Sequence, residues 1–124
     1  ALPILLTNIK MGLDNVRNYG WGILDLKNCG LSEIPKEVFE YENLVNIDLS
    51  NDDYCEESMK NIIKVIPESI IKLKKLAYIN LSNNKLVTIS ENISKLTSLQ
   101  YLNLSNNSPK PRASPLKMNH SHQN

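Results

Sequence analysis

The chain has 124 residues, which suits one small domain, and its net charge is only +1. Such a balance gives no general attraction to nucleic acid or to anionic membranes. The sequence also contains no apolar run of about 18 residues. We therefore expect neither a nucleic-acid partner nor a membrane span.

The first predicted element is a capping helix within residues 1–20. Its apolar side chains are spaced for one helical face and are Leu6, Ile9, Leu13 and Val16. Gly20 follows as a helix stop, and Gly12 lowers the helix propensity in the interior. We expect the helix to cover the first edge of the core, because terminal units of stacked repeats need a cap.

A recurring pattern follows, with copies at residues 21–43, 44–75 and 76–98 and a partial copy at 99–107. Copies one and three have 23 residues each, whereas copy two has 32. The Leu-x-Leu of each copy predicts a short strand whose leucines point inward, and successive strands would pair in parallel. The rest of each copy returns along the outside, and Pro35 and Pro67 fix the backbone at the start of two returns.

Each copy has a candidate ladder residue three positions after its second leucine. The four candidates are Cys29, Asp52, Asn84 and Asn107. A side chain turned inward at this point can bond to backbone groups that the chain leaves unpaired where a strand ends. We therefore expect a buried polar ladder along the repeats.

The extra residues of copy two are predicted to form an insertion at about 53–65. Its apolar residues have the spacing of a helix that packs on the rim, and they are Met59, Ile62, Ile63 and Ile66. The alternative is a partner-binding protrusion, because insertions in repeat proteins often lie on a binding face.

Residues 108–124 read as a flexible tail, because they are rich in Pro, Ser, Lys and Asn. Copy four would then end in a strand with no further unit beside it. Such an uncapped C-terminal edge predicts either self-association through unpaired backbone groups or a natural protein that continues past this point.

The stretch from Trp21 to Asn107 resembles the leucine-rich repeat family, with the pattern LxxLxLxxNxLxxIPxxIxxLxxL. It is most similar to the 23-residue intracellular type of Ras-suppressor-like, bacterial and protist proteins. Asp52 in place of Asn and Ser90 in place of Pro depart from that pattern. The resemblance implies an α/β solenoid, a short curved right-handed coil with a concave parallel sheet. It also implies a non-enzymatic module that binds a protein on the concave face.

The outward strand residues of that face are the candidate binding residues. We expect the rigid aromatics Tyr78 and Tyr101 to contribute most, because aromatic residues are typical of interface centres. The other candidates are Asn46, Asp25, Asp48, Asn80 and Asn103. Alternatively, most of these polar residues are only the solvent-facing choices that are common in the family.

Catalysis is the third hypothesis, since Asp25 and Asp48 would lie side by side and paired carboxylates can perform acid–base chemistry. No histidine accompanies them, and with neutral amides they would form a weak metal site at best. We expect no enzyme, cofactor or metal ion.

The sequence is consistent with two cellular compartments. Cys29 and Cys55 are expected to be free thiols, which favours the cytoplasm. Five glycosylation sequons, at Asn80, Asn92, Asn103, Asn106 and Asn119, leave a secreted recognition or adhesion domain as the alternative. For the function, a further alternative is that the chain is a fragment of a larger leucine-rich repeat signalling protein.

Overall fold

The computed structural model of the chain describes residues 3–20, 22–108 and 121–123. An α-helix, α1 (Pro3–Tyr19), precedes five strands that form one parallel sheet in chain order. The strands are β1 (Ile23–Asp25), β2 (Asn46–Asp48), β3 (Tyr78–Asn80), β4 (Tyr101–Asn103) and β5 (Ser121–Gln123). Equal positions of successive repeats lie side by side, as Ile23, Asn46 and Tyr78 do.

The core lies between the sheet and the outer returns, and this arrangement confirms the predicted α/β solenoid. The leucines of each strand alternate inward, so that Leu24 and Leu26 are almost completely buried. The returns form short 3₁₀ helices at Lys36–Glu40, Glu68–Lys72 and Glu91–Lys95. Each of these helices buries a central apolar side chain, namely Val38, Ile70 and Ile93, and the first also buries Phe39.

The start of each return is set by a residue with a fixed or capped backbone. Pro35 and Pro67 precede the first two returns. At the third, the Ser90 hydroxyl accepts a hydrogen bond from the Asn92 N–H at 3.1 Å. Serine thus takes the place of proline in this repeat and caps the start of the return with its side chain.

Helix α1 packs against β1 and covers the first edge of the core. Leu13 and Val16 are buried, but Leu6 is 57% exposed, so its predicted place in the core face is wrong. Ile9 is half-buried against the core, whereas Leu6 lies about one turn nearer the start of the helix and does not belong to the core. Gly12 lies at the contact, where an added Cβ would come within 3.3 Å of Leu24 Cδ1.

The end of α1 agrees with the prediction, since Gly20 has a φ of 64° and its N–H donates to the Val16 carbonyl. Arg17 ties the helix to the first return by donating to the Tyr41 hydroxyl at 2.9 Å. None of the described helices is long and apolar enough to cross a membrane.

The C-terminal edge differs from the prediction of an uncapped strand. β5 pairs in parallel with β4, with Tyr101 opposite Ser121, and so extends the sheet by one strand. Strand pairing uses backbone N–H and C=O groups, so a polar segment can supply it as well as an apolar one. Most of the predicted flexible tail, 108–124, lies outside the described residues, and the division into cap, repeats and tail stays a prediction.

Candidate functional site

The concave surface is built from the outward residues of the short strands. Because the strands pair without a shift in register, these residues form columns across the sheet. The first column contains Ile23, Asn46, Tyr78 and Tyr101, and the second contains Asp25, Asp48, Asn80 and Asn103. All seven of the predicted binding residues lie in these two columns, together with Ile23, which was not among the predicted binding residues.

Tyr78 and Tyr101 form the largest feature of the first column. Their rings stack with centroids 4.4 Å apart and planes 8° from parallel. The Asn103 side-chain amide donates to the Tyr101 hydroxyl at 3.2 Å, which helps to fix that ring. Burial, followed by the neighbouring Tyr101 and Asp48, raises the pKa of the Tyr78 phenol. The pair is therefore a rigid, half-buried aromatic platform.

The second column has a structural role that the sequence alone did not reveal. In every repeat one side-chain oxygen accepts a hydrogen bond from the backbone N–H two residues later. The four bonds, each 3.0 Å long, run from Lys27 to Asp25, from Ser50 to Asp48, from Ser82 to Asn80 and from Ser105 to Asn103. These side chains cap the exit of each strand, which explains why only Asp and Asn occur in the column.

The charges of the second column are not equivalent. Asp25 has Lys27 as an ion-pair partner at 3.9 Å, whereas no cation lies within ion-pair distance of Asp48 in the described part of the chain. Residues 3–20, 22–108 and 121–123 hold no group of three or more His, Cys, Asp or Glu that could bind a metal ion.

The polar ladder exists, but its member in copy two is Asn61 and not Asp52, which is exposed. The side-chain amides of Asn61, Asn84 and Asn107 donate to the carbonyls of Leu26, Leu49 and Leu81 respectively. Each amide therefore bonds to the second strand leucine of the preceding repeat. In copy one, Cys29 is buried at the corresponding place, and its thiol donates to the Lys27 carbonyl.

The ladder defines the insertion as residues 52–60. Removing these nine residues from the sequence joins "LSN" to "NII" and gives a repeat of 23 residues, like copy three. The signal was present in the sequence as the match between "LSNNII" and "LSNNKL", but counting three positions from Leu49 missed it. An alignment of the copies on the buried asparagine, instead of a count from Leu49, would have assigned Asn61 to the ladder of copy two.

The predicted helix of the insertion is also wrong. The structure has only a 3₁₀ turn at Glu57–Met59 and no helix over residues 60–67. Ile63 and Ile66 are buried because they are the counterparts of Leu86 and Ile89 in copy three, whereas Ile62 is 40% exposed. The helical spacing is a coincidence, because Met59 belongs to the insertion whereas the three isoleucines belong to the regular part of the repeat.

The insertion itself lies at the surface beside the first repeat. Asp52 and Asn28 exchange two hydrogen bonds of 2.9 Å and 3.0 Å. Tyr54 is 97% exposed, and with Cys55 and Met59 it borders a shallow cavity of about 530 Å³. The described structure thus places this segment next to the columns of the concave sheet, at the ends of β1 and β2.

Comparison with known proteins gives three findings. A sequence profile for leucine rich repeats matches residues 59–108. The volume-regulated anion channel subunit LRRC8D is 36% identical over 82 aligned positions in Rattus norvegicus and over 66 in Homo sapiens. A solved structure of a leucine-rich repeat protein of Leptospira interrogans has a TM-score of 0.52 at 27% identity, and the match covers 82% of this chain.

These matches cover different shares of the proteins concerned. The alignments to the two channel subunits take in 53% of this chain but only 10% and 7% of those proteins. The structural match takes in 29% of the Leptospira chain. The sequence profile and the solved structure describe the same repeat as the ladder of buried amides, so the chain contains leucine-rich repeats and folds as a leucine-rich repeat solenoid.

Proposed function

We propose that the chain binds a protein partner on its concave face, with Tyr78 and Tyr101 at the centre of the contact. Leucine-rich repeat proteins generally act as protein-interaction modules and use extended concave surfaces for this purpose. The observation that supports this site is the stacked pair of half-buried tyrosines on the concave sheet. Tyrosine is among the residues that contribute most binding energy in protein interfaces.

The surroundings of the pair also favour a docking role. The rings are held by stacking and by the Asn103 amide, so a partner would not have to immobilise them, which lowers the entropic cost of binding. Ile23, at the other end of the same column, is 60% exposed. An apolar side chain and an aromatic pair among small polar groups resemble the composition of an interface centre.

The proposed module is non-enzymatic. Asp25 and Asp48, the paired carboxylates of the third hypothesis, each use one oxygen to cap a strand exit. That role accounts for both carboxylates without any reaction.

We also propose a cytoplasmic protein, with a secreted one as the alternative. Cys29 and Cys55 are both free, and a reducing compartment maintains free thiols. Intact mass measurement on the protein from its natural source tests this proposal. Two free thiols without added glycan mass would support the cytoplasm, and glycan mass at any of the sequons would contradict it.

The binding proposal is tested by affinity capture with the full chain, followed by identification of the bound protein. The double variant Tyr78→Ala/Tyr101→Ala should lose the captured protein, since truncation of an aromatic anchor costs about 2 kcal/mol. Tyr54→Ala is the matched control, because that tyrosine is far more exposed and lies on the insertion. Denaturant unfolding of each variant verifies that it is folded.

A partner that is captured equally by the wild type and the folded double variant would contradict the concave site. If the same partner were lost on deletion of residues 52–60, the insertion would be the binding surface instead.

A further inference from the structure

The aromatic platform of the concave sheet ends in a step. Tyr101 covers one face of the Tyr78 ring, and the residue in register on its other side is Asn46. Asparagine is a much shorter side chain than tyrosine, and beyond it Ile23 is again large and 60% exposed. We call the space above Asn46, between Ile23 and Tyr78, the Asn46 step.

The Asn46 step has a free negative charge at its side. Asp48 follows Asn46 by two residues on the same face, and its Oδ1 accepts hydrogen bonds from the Ser50 N–H and hydroxyl at 3.0 Å and 2.6 Å. Among residues 3–20, 22–108 and 121–123, its Oδ2 has no hydrogen-bond partner and no cation within 4.0 Å, since Lys27 pairs with the neighbouring Asp25. The half-buried Asp48 also lies near enough to Tyr78 to help raise the pKa of that phenol.

We propose that the Asn46 step receives an arginine side chain of the protein partner. This inference rests on the proposed function, because it assigns the chemistry of one contact on the same concave face. A guanidinium is planar and stacks on an aromatic ring, so it fits the face of Tyr78 that is turned away from Tyr101, above the shorter Asn46. Its N–H groups can at the same time donate to the free Oδ2 of Asp48, and such a charge-assisted bond is stronger than a neutral one.

Other partner chemistries fit the Asn46 step less well. A carboxylate or phosphate would meet the unpaired charge of Asp48 and be repelled. A lysine ammonium could pair with Asp48, but it is not planar and holds its hydration more strongly than a guanidinium does. An apolar side chain would cover the ring but would leave the Asp48 charge desolvated without a partner.

The chain itself supplies a substitution that isolates the charge. Asn80 and Asn103 occupy the position of Asp48 in the next two repeats, and each caps its strand exit with the same 3.0 Å bond. Asp48→Asn should therefore remove the charge and keep the fold. Asp25→Asn is the matched control, because it removes a carboxylate of the same column that already has Lys27 as its partner.

The experiment is a titration of the isotope-labelled chain with the peptide acetyl-Gly-Gly-Arg-Gly-Gly-amide, followed by amide chemical shifts. We expect shifts confined to residues near the Asn46 step and an affinity on the order of millimolar. Asp48→Asn should weaken this binding about fivefold, the upper range for a partly exposed ion pair, and Asp25→Asn, which removes a carboxylate already paired with Lys27, should weaken it less than about twofold. The same peptide with Lys in place of Arg should bind about threefold more weakly, because it lacks the stacking contact.

Absence of shifts at the Asn46 step, equal affinity of Asp48→Asn, or equal affinity for the two peptides would overturn the inference. The protein that affinity capture identifies distinguishes the proposed concave binding site from the proposed arginine contact. Loss of that partner with Tyr78→Ala/Tyr101→Ala but not with Asp48→Asn would support the concave site and overturn the arginine contact. Retention by both variants would overturn the concave site itself.

Discussion

The side chain of Asn51 holds both backbone polar groups of Asn61. Its Oδ1 accepts a hydrogen bond from the Asn61 N–H, and its Nδ2 donates to the Asn61 carbonyl, both at 2.8 Å. Asn51 and Asn61 flank the nine residues of the insertion, so the chain leaves the solenoid and returns to it at one point. Both side chains are almost completely buried, which makes this junction part of the core and separates it from the loop.

The first prediction is that deletion of residues 52–60 leaves the fold intact. The product has a regular repeat in which Asn51 precedes Asn61 directly. Asn51 would then take the left-handed backbone that Asn28, Asn83 and Asn106 adopt, with φ of 53°, 60° and 57°. We expect the free energy of unfolding to fall by no more than about 2 kcal/mol, because the deletion removes only a few surface hydrogen bonds, among them the two between Asp52 and Asn28. Denaturant midpoints at equal slope measure this.

A second deletion of the same length provides the control. Removal of residues 51–59 places Lys60 at the left-handed position instead of asparagine. A side chain without local hydrogen bonding pays roughly 1 kcal/mol or more for that backbone. If both deletions unfold at the same denaturant concentration, the assigned end of the insertion is wrong.

The second prediction concerns the ladder residue of copy two. Asn61→Ala should lower the free energy of unfolding by about 1–3 kcal/mol or more, because it leaves buried backbone groups unpaired. The groups concerned are the carbonyls of Leu26 and Leu49 and the N–H groups of Cys29 and Leu31. Asp52→Ala, at the position that the sequence pattern assigned to the ladder, should change it by less than about 0.5 kcal/mol. Chemical denaturation of both variants decides between the two registers.

The third prediction concerns the ladder residue of copy three. Asn84 is buried, donates to the Leu49 carbonyl and accepts from the Ile63 N–H. Asn84→Ala should therefore cost about 1–3 kcal/mol in unfolding free energy. An unchanged denaturant midpoint at equal slope would show that this amide does not bridge the repeats.

The fourth prediction is a pH dependence due to Tyr78. Its pKa is raised in the folded protein above the ordinary tyrosine value of about 10. Above about pH 10 the unfolded chain loses this proton more readily than the folded protein does. The contribution of Tyr78 to the free energy of unfolding should therefore be fully present below that pH and should be lost as the pH rises through the folded pKa. Thermal unfolding across alkaline pH measures the effect. Tyr78→Phe should show a weaker dependence, and an equal dependence in the two proteins would contradict the assignment.

The fifth prediction separates the two thiols. Burial raises the pKa of both Cys29 and Cys55, and in Cys29 the neighbouring Asp25 adds to it. Cys29 is only 4% exposed, whereas Cys55 is half-buried on the insertion. A thiol reagent should therefore modify Cys55 in the native protein and reach Cys29 only on unfolding. Cys55→Ser should abolish the native reaction, and a reaction that persists in this variant would contradict the placement of Cys29 in the core.

The repeat itself could be predicted from the sequence because its period is set by the core. Leu24, Ile47, Ile79 and Leu102 recur at the same inward position, and each is buried, as the alternation of a strand requires. The concave columns follow directly from that register. Whether a partner binds there stays a prediction, because surface residues are constrained by the partner as well as by the fold.

The insertion was placed wrongly because the sequence contains two asparagines that compete for one role. Asn51 and Asn61 are both buried and both bond to backbone, and the match of "LSNNII" with "LSNNKL" that assigns Asn61 to the ladder appears only after residues 52–60 are removed. The strand pairing of β5 was missed for a different reason. It depends on backbone groups, which leave no trace in the side-chain pattern.

The strand-exit caps have a consequence for how such a surface can change. One oxygen is enough for the cap, and Asp and Asn supply it with the same geometry at Asp48 and Asn80. Codons for these two amino acids differ by a single base. A charge can therefore appear or vanish at each repeat of the concave face in one mutational step, while the fold tolerates both states. The solenoid therefore keeps the same fold while the distribution of charge on its concave face can change under selection.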